Sequence, residues 1–401
     1  MRASAVLRSP KIWVFTLFGA VLALVLTFGY LGGVLDTDTP DQRVPIAWVD
    51  TDPGVGAQLD EQVFAGPAHS AARWVKADTE AAARDLLARD EVYAAVVIPA
   101  DLTARIAALA TPGAAPVPVV VLSNPLAGPA ANGTAQGVAH SVLTELSRQL
   151  GARLAASASG SPLLNDPLKI VVTPVATVPA HTAGGMAAFY YTLVLILTGF
   201  LLAQLLNSGV DGVLGFAPRE FLHRRSTQPP LPIDRVHTLL VKVGLMAGCS
   251  VIAATVVELV AVLVLGMPVE HPVALWVFSI LAVATAGVFP LVLLAVIGAP
   301  GALLATVVLV VFGVPSSGGA YPPELQPVVF RWFGEVLPMR YITDATRDLI
   351  FPTAGTRLST AVIAVAAWLV VSLVIGLGLT AFYERTGRAR VSVHERALQT
   401  V

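Results

Sequence analysis

Long apolar runs along this chain are separated by one extended stretch of mixed character. The first run is Ile12–Val34, after which hydropathy falls and stays low until Met186. Later runs cover 186–207, 237–266, 273–297, 301–315 and 359–383. Most reach the ~20 residues that a helix needs to cross a ~30 Å hydrocarbon core, which predicts an α-helical integral membrane protein of about six transmembrane helices. The fifth run, Gly301–Pro315, is short, and its length alone suggests a re-entrant segment. The first is longer than the apolar core of a secretory signal and ends Tyr30-Leu31-Gly32-Gly33, so it reads as a retained span.

The stretch 36–180 reads as an α/β domain inserted between helices 1 and 2. Val44–Val49 is a short strand closed by the turn signal Asp50-Thr51-Asp52-Pro53-Gly54. Thr79–Arg89 is an Ala/Leu helix capped by Asp78 or Thr79, and it leads into a strand over Val92–Ile98 that Pro99 stops. Asp101–Ala110 is a second helix, Val117–Leu122 a third strand and Thr134–Ala158 a long helix. Leu168–Val178 returns as a strand towards the second span. Strands alternating with helices suggest a sheet covered by helices on one face. The chain thus divides into 1–35 with the first span, the domain 36–180, and a membrane domain with a short tail, 181–401.

Charge orients the spans. Arg2, Arg8 and Lys11 precede the first, Arg219, Arg224, Arg225 and Arg235 crowd the second-to-third loop, and 267–272 has neither Lys nor Arg. Cytoplasmic loops carry the cationic excess, so the N-terminus lies inside and 36–180 outside. The last two segments stay open on this criterion. Arg331, Arg340, Arg347 and Arg357 follow the fifth run, and Arg385, Arg388, Arg390 and Arg396 follow the sixth. Arg340 and Arg347 flank Asp344 at helical spacing, which predicts that the charges of that loop are largely paired.

Composition agrees with a membrane protein: 55% hydrophobic, 13% charged, mean hydropathy +0.75. A net charge of −1 leaves no broad electrostatic footprint for nucleic acid. The abundance of Ala and of Arg over Lys suggests a GC-rich bacterial genome. The single cysteine, Cys249, lies in an apolar run. His69, His140 and His181 are scattered and lack metal-ligand spacing. The sequence holds no G-x-S-x-G elbow, no H-E-x-x-H and no phosphate-binding Gly-rich loop. The Asn132-Gly133-Thr134 sequon reads as a turn and cap. No catalytic residue, cofactor or metal site is expected.

The order of "VDTDPGVG", "ADTEAAARDLLARDEVYAAVVIPADLTARIAAL" and "PVPVVVLSNPLAGPAANGTAQ" resembles the extracytoplasmic domain of the YhgE/Pip (phage infection protein) branch of type-2 ABC exporter permeases. The piece Ala81–Ile106 is the most specific. The C-terminal half is similar too: a short fifth span, then "VPSSGGAYPPELQPVVFRWFGEVLPMRYITDATRDLIF", then a last span. The resemblance covers nearly the whole chain, although many members of that branch have a far longer ectodomain. It implies six crossings with both termini inside, and it makes 316–358 an extracytoplasmic pair of re-entrant half-helices. It also implies a homodimer energised by a separate ATP-binding subunit.

Several residues then become candidates. Phe216, Arg219, Glu220, Phe221, Leu222, His223, Arg224 and Arg225 combine apolar and basic residues; they resemble the coupling helix that docks into the ATPase, against a plain cationic loop on anionic lipid. Glu258 lies about 12 Å from the outer end of its run at 1.5 Å per residue. It reads as a bundle-facing polar group, functional or simply hydrogen-bonded within the bundle. Gln204 and Asn207 read as interhelical hydrogen-bonders. Pro315–Pro327, with four prolines and two glycines, cannot be a continuous helix. Pro322, Pro323, Glu324 and Arg331 are its candidate extracytoplasmic gate, against a surface turn. The expected function is the permease subunit of an exporter in a bacterial cytoplasmic membrane, moving a lipid-like or hydrophobic substrate outward. The rival is a non-transporting envelope scaffold that binds partners through its ectodomain.

Overall fold

The computed structural model describes residues 21, 23–30, 43–109, 111, 114–157, 165–216, 219–221, 224–226, 233–351 and 356–387. Most of the expected first span therefore lies outside the described residues, although 23–30 are helical.

The N-terminal half builds a five-stranded sheet from β1 (Pro45–Val49), β2 (Arg73–Lys76), β3 (Ala94–Val97), β4 (Val117–Ser123) and β5 (Leu168–Pro174), in the order β2-β1-β3-β4-β5. Only β3 and β4 run antiparallel. Every residue of β1 is buried, as expected for an inner strand covered on both faces. Pro118 is tolerated inside β4 because pairing with β3 begins only at Val120.

Helices cover both faces, which corrects the one-face expectation. On one side Ile46, Trp48, Val96, Val119 and Val121 meet α1 (Val55–Phe64), α3 (Leu102–Ala108) and α4 (Pro129–Ser157). On the other, Ala47, Val49, Ala95 and Leu122 meet Ala83 and Leu87 of α2 (Glu80–Ala88). Strand side chains alternate between faces, so a single strand feeds both cores. Of the two candidate caps for α2, Thr79 does the work: its hydroxyl accepts the Ala82 N–H at 3.1 Å.

The C-terminal half is helical. Among the described residues four helices are long and apolar enough to cross a membrane: α5 (Ala187–Val213), α6 (Arg235–Leu259, continued by a π-turn to Val264), α7 (Pro272–Ile297) and α11 (Leu358–Arg385). A shorter apolar helix, α8 (Ala299–Thr306), also runs on as a π-turn, to Phe312. Two short helices follow, α9 (Val328–Val336) and α10 (Pro338–Ile350).

Helix α7 is the hub, packed against α5, α6, α8, α10 and α11. Close approach of α5 and α7 depends on Gly199, where an added methyl would lie 2.5 Å from the Val283 carbonyl oxygen. The two halves interlock. Leu126, just after β4, belongs to the helical core with Ala188 and Ile342, while Leu325 of the helical half belongs to the core beneath the sheet.

Candidate functional site

The candidate residues gather at the two ends of the helical bundle. Because α5 starts beside the sheet and spans about 40 Å at 1.5 Å per residue, these are a sheet end and a far end.

At the far end, α5 closes with the Phe216 N–H donating to the Asp211 carbonyl at 2.9 Å. Beyond it the 216–225 segment departs from the coupling-helix expectation. β6 (Arg219–Phe221) and β7 (Arg224–Ser226) pair antiparallel, with Glu220 opposite Arg225 and Phe221 opposite Arg224. A helix cannot form where two three-residue segments exchange backbone hydrogen bonds with each other. Leu222 and His223 lie outside the described residues.

Directly behind this hairpin, Lys242 Nζ of α6 donates to Asp211 Oδ1 and to Asn207 Oδ1 of α5, each at 2.7 Å. Lys242 is 1% exposed. Asn207 thus makes the kind of interhelical bond expected of it, whereas the Gln204 Nε2 atom is buried with no hydrogen-bond partner among the described residues. Sequence reasoning missed Lys242 and Asp211. The signal was Lys242 itself, the one lysine or arginine within the run 237–266. Asp211 was missed because the apolar run ends at 207, whereas the helix continues to Val213 and brings Asn207 and Asp211 onto one face at i, i+4. The same end is laced to α11: Asp234 caps α6 by accepting the His237 N–H, and Glu384 accepts the Val236 N–H at 2.9 Å.

At the sheet end, the loop between α2 and β3 and the segment 315–357 are joined by buried polar groups. Tyr93 donates its hydroxyl to Glu324 Oε2 at 2.8 Å. Arg347 faces Asp90 at 3.7 Å, and Arg357 faces Asp344 at 3.7 Å while donating to the Asp90 carbonyl at 3.2 Å. Asn124 also donates to Asp90, at 3.1 Å. Burial pushes the Asp90 carboxyl above the usual aspartate range, although the Arg347 and Arg357 guanidiniums pull it back. Burial likewise holds the Tyr93 phenol well above its ordinary value, and the Glu324 charge adds to the effect. The expected pairing of Asp344 with Arg340 and Arg347 along one helix holds only at longer range: both guanidiniums oppose the burial that raises the Asp344 carboxyl, but the salt bridge of Asp344 is to Arg357, and Arg347 instead meets Asp90 from the other half of the chain.

The gate candidates sit in this joint. Pro322 is buried and starts the turn Pro323–Leu325, and Gln326 Nε2 donates to the carbonyls of Pro315 and Tyr321, which folds the proline-rich stretch back on itself. Pro323, Glu324 and Arg331 line one cleft. Glu258 is not part of it. It lies on α6 just before the π-turn, half-buried, and its Oε2 atom is shielded with no hydrogen-bond partner among the described residues. No group of three or more His, Cys, Asp or Glu side chains suited to a metal ion occurs among the described residues.

A bundle of apolar helices joined to an α/β unit by the buried Arg347–Asp90 pair and the Tyr93–Glu324 hydrogen bond, with a buried Lys242–Asp211 pair at the opposite end, defines a polytopic membrane protein. A family model described as ABC-2 family transporter protein matches residues 10–381, and the chain belongs to that family as its membrane component. No curated protein and no solved structure matches.

Proposed function

We propose that this chain is the permease subunit of an exporter, in the YhgE/Pip-like branch of its family, that moves a lipid-like or hydrophobic substrate outward. A separate ATPase supplies the energy and two copies form the pathway. The topology has six crossings, both termini and the 219–226 hairpin cytoplasmic, and the sheet outside a bacterial cytoplasmic membrane. The observation that carries this reading is the far-end assembly. A short hairpin projects from α5 immediately beyond the buried Asp211–Lys242 pair, and α6 and α11 are hydrogen-bonded beside it. Force applied to such a hairpin passes directly into three long helices rather than dissipating in a loose loop.

The experiment replaces Phe221 and Leu222 together by Asp. Each charge forced into an apolar groove costs several kcal/mol, and ~1.4 kcal/mol is already tenfold in affinity. The expected result is loss of ATPase co-purification at unchanged membrane level. Retained association, or no ATPase partner in the wild-type preparation, would reject the exporter in favour of the scaffold that binds partners through the sheet domain. Native mass spectrometry with lipid retained should show a two-copy species, and a clean monomer would argue against pairing.

A further inference from the structure

A second feature of the sheet end is a surplus of positive charge. A cleft of about 620 Å³ is lined by Arg43 ahead of β1, Arg73 of β2, Arg331 of α9 and Arg340 of α10, with Glu324 and Glu335 as the carboxylates. Glu324 is engaged by Tyr93. Among the described residues none of these four arginines makes a salt bridge, and the Arg43 Nε atom is buried without a hydrogen-bond partner. The contrast is local, because Arg347 and Arg357 a short way along the same segment do have carboxylate partners. Arg340 still feels the Asp344 carboxylate at longer range, but guanidiniums without a salt bridge converging on one cavity repel one another, and an anion relieves that repulsion.

The neighbouring surface says at what depth the anion sits. Helix α9 turns Val328, Val329, Trp332 and Val336 outward, with Trp332 57% exposed, while Phe330 is buried. That spacing is one apolar stripe on a helix. An exposed apolar stripe carrying Trp next to a cationic face marks a helix lying in a membrane interface. The cleft therefore opens at the level of lipid headgroups, with hydrocarbon beneath the α9 stripe.

We propose that this cleft binds the phosphoryl headgroup of an amphiphile whose tail stays in the lipid against α9. A carboxylate offers two oxygens, which one guanidinium fork satisfies; four forks match a phosphoryl group with its larger charge and additional acceptor oxygens. The volume falls within the range of small-molecule sites. The inference deepens the exporter reading by naming the headgroup chemistry of its substrate, and it rests on that reading for the outward-facing placement.

The test uses the full-length protein in detergent with phosphatidic acid, phosphatidylcholine of the same acyl chains, and inorganic phosphate, read by native mass spectrometry and by ligand-induced thermal shift. Phosphatidic acid should bind at least tenfold tighter than phosphatidylcholine, whose choline caps the phosphate with a cation. In Arg73→Gln/Arg331→Gln that preference should disappear, and Arg73→Lys/Arg331→Lys, which keeps the charge and loses the fork, should restore it in part. Equal binding of the two lipids by the wild type, or an undiminished preference in the Gln variant, overturns the proposal. Inorganic phosphate binding as tightly as phosphatidic acid overturns the amphiphile and leaves a soluble phosphate site. Should the Gln variant unfold, the Lys variant and the wild-type lipid comparison still decide. ATPase co-purification is read in parallel. Headgroup preference without an ATPase removes the exporter and keeps the cleft, and an ATPase without the preference does the reverse.

Discussion

At the residue scale, two aspartates show how differently the same side chain serves this chain. Asp52 is 3% exposed and accepts the N–H groups of Gly56 and Thr103 at 2.9 and 3.0 Å, that of Gly54 at 3.1 Å, and the Thr103 hydroxyl. It therefore clasps the turn after β1 to the start of α3, two of the pieces of sequence that carry the family resemblance. Burial raises its pKa, but the Thr103 hydroxyl and the three backbone donors outweigh burial and hold it below the ordinary aspartate value. A depressed carboxyl stabilises the fold above its unfolded pKa, so this contribution should be intact at neutral pH. It should fade as pH falls below about 3.9, the unperturbed value, and through the lower folded one. Asp52→Ala, which orphans those donors, should cost roughly 1–3 kcal/mol and flatten the acid limb of thermal stability below about pH 4. An unchanged acid limb would dissociate Asp52 from that stability. Asp211 instead neutralises a cation inside the bundle. Lys242→Met alone leaves a buried carboxylate and should lose about 3–5 kcal/mol, whereas Lys242→Met with Asp211→Leu should recover most of it. A double variant no better than the single in thermal unfolding would show that the pair is not the unit.

At the element scale, what was legible in the sequence was whatever its own neighbours dictate. β1, β3, β4 and β5 occupy apolar runs bounded by turn residues, and the long helices occupy the later apolar runs. Two elements escaped. α1 buries only Gly56, Leu59 and Val63, too sparse a stripe to announce a helix. β2 is a four-residue edge strand that begins with Arg73 and ends with Lys76, and it exists because β1 offers it a parallel ladder. The site was harder to read for the same reason. Pro323, Glu324 and Arg331 could be singled out as a broken, charged segment, but Tyr93, Asp90, Arg43 and Arg73 reach it from far along the chain, and nothing local signals that meeting. The hairpin at 219–226 is the converse case, where apolar and basic residues suit either a helix or a pair of strands. Helix packing gives a test within one element. Gly199 of α5 has no room for a methyl group, whereas Gly209 of the same helix has open space. Gly199→Ala should destabilise by about 1–3 kcal/mol through overpacking, while Gly209→Ala should be neutral or stabilise by up to about 1 kcal/mol through helix propensity. The two measured by thermal unfolding should differ in direction, and equal effects would mean that α5 and α7 do not approach as closely as Gly199 implies.

At the scale of the whole molecule, buried polar and apolar contacts join sheet and bundle. Asp90, Tyr93 and Leu126 engage the helical half from one side, and Leu325 and Arg357 engage the sheet from the other. A permease built this way would pass motion of the far-end hairpin through α5 and α6 to the proline-rich turn and to the sheet above it. That argument holds only if the sheet and the hairpin lie on opposite sides of the membrane. Charge supports this placement, since the hairpin segment is rich in arginine and the 267–272 connection has neither Lys nor Arg. The placement can be read on intact cells carrying Cys249→Ser with a single new cysteine at Ser70, exposed beside β2, or at Ser226, at the end of β7. A membrane-impermeant maleimide should label the Ser70→Cys protein from outside and label Ser226→Cys only after the membrane is opened. Labelling of Ser226→Cys in sealed cells would invert the bundle. It would place the phosphoryl cleft in the cytoplasm and leave the ATPase no hairpin to hold.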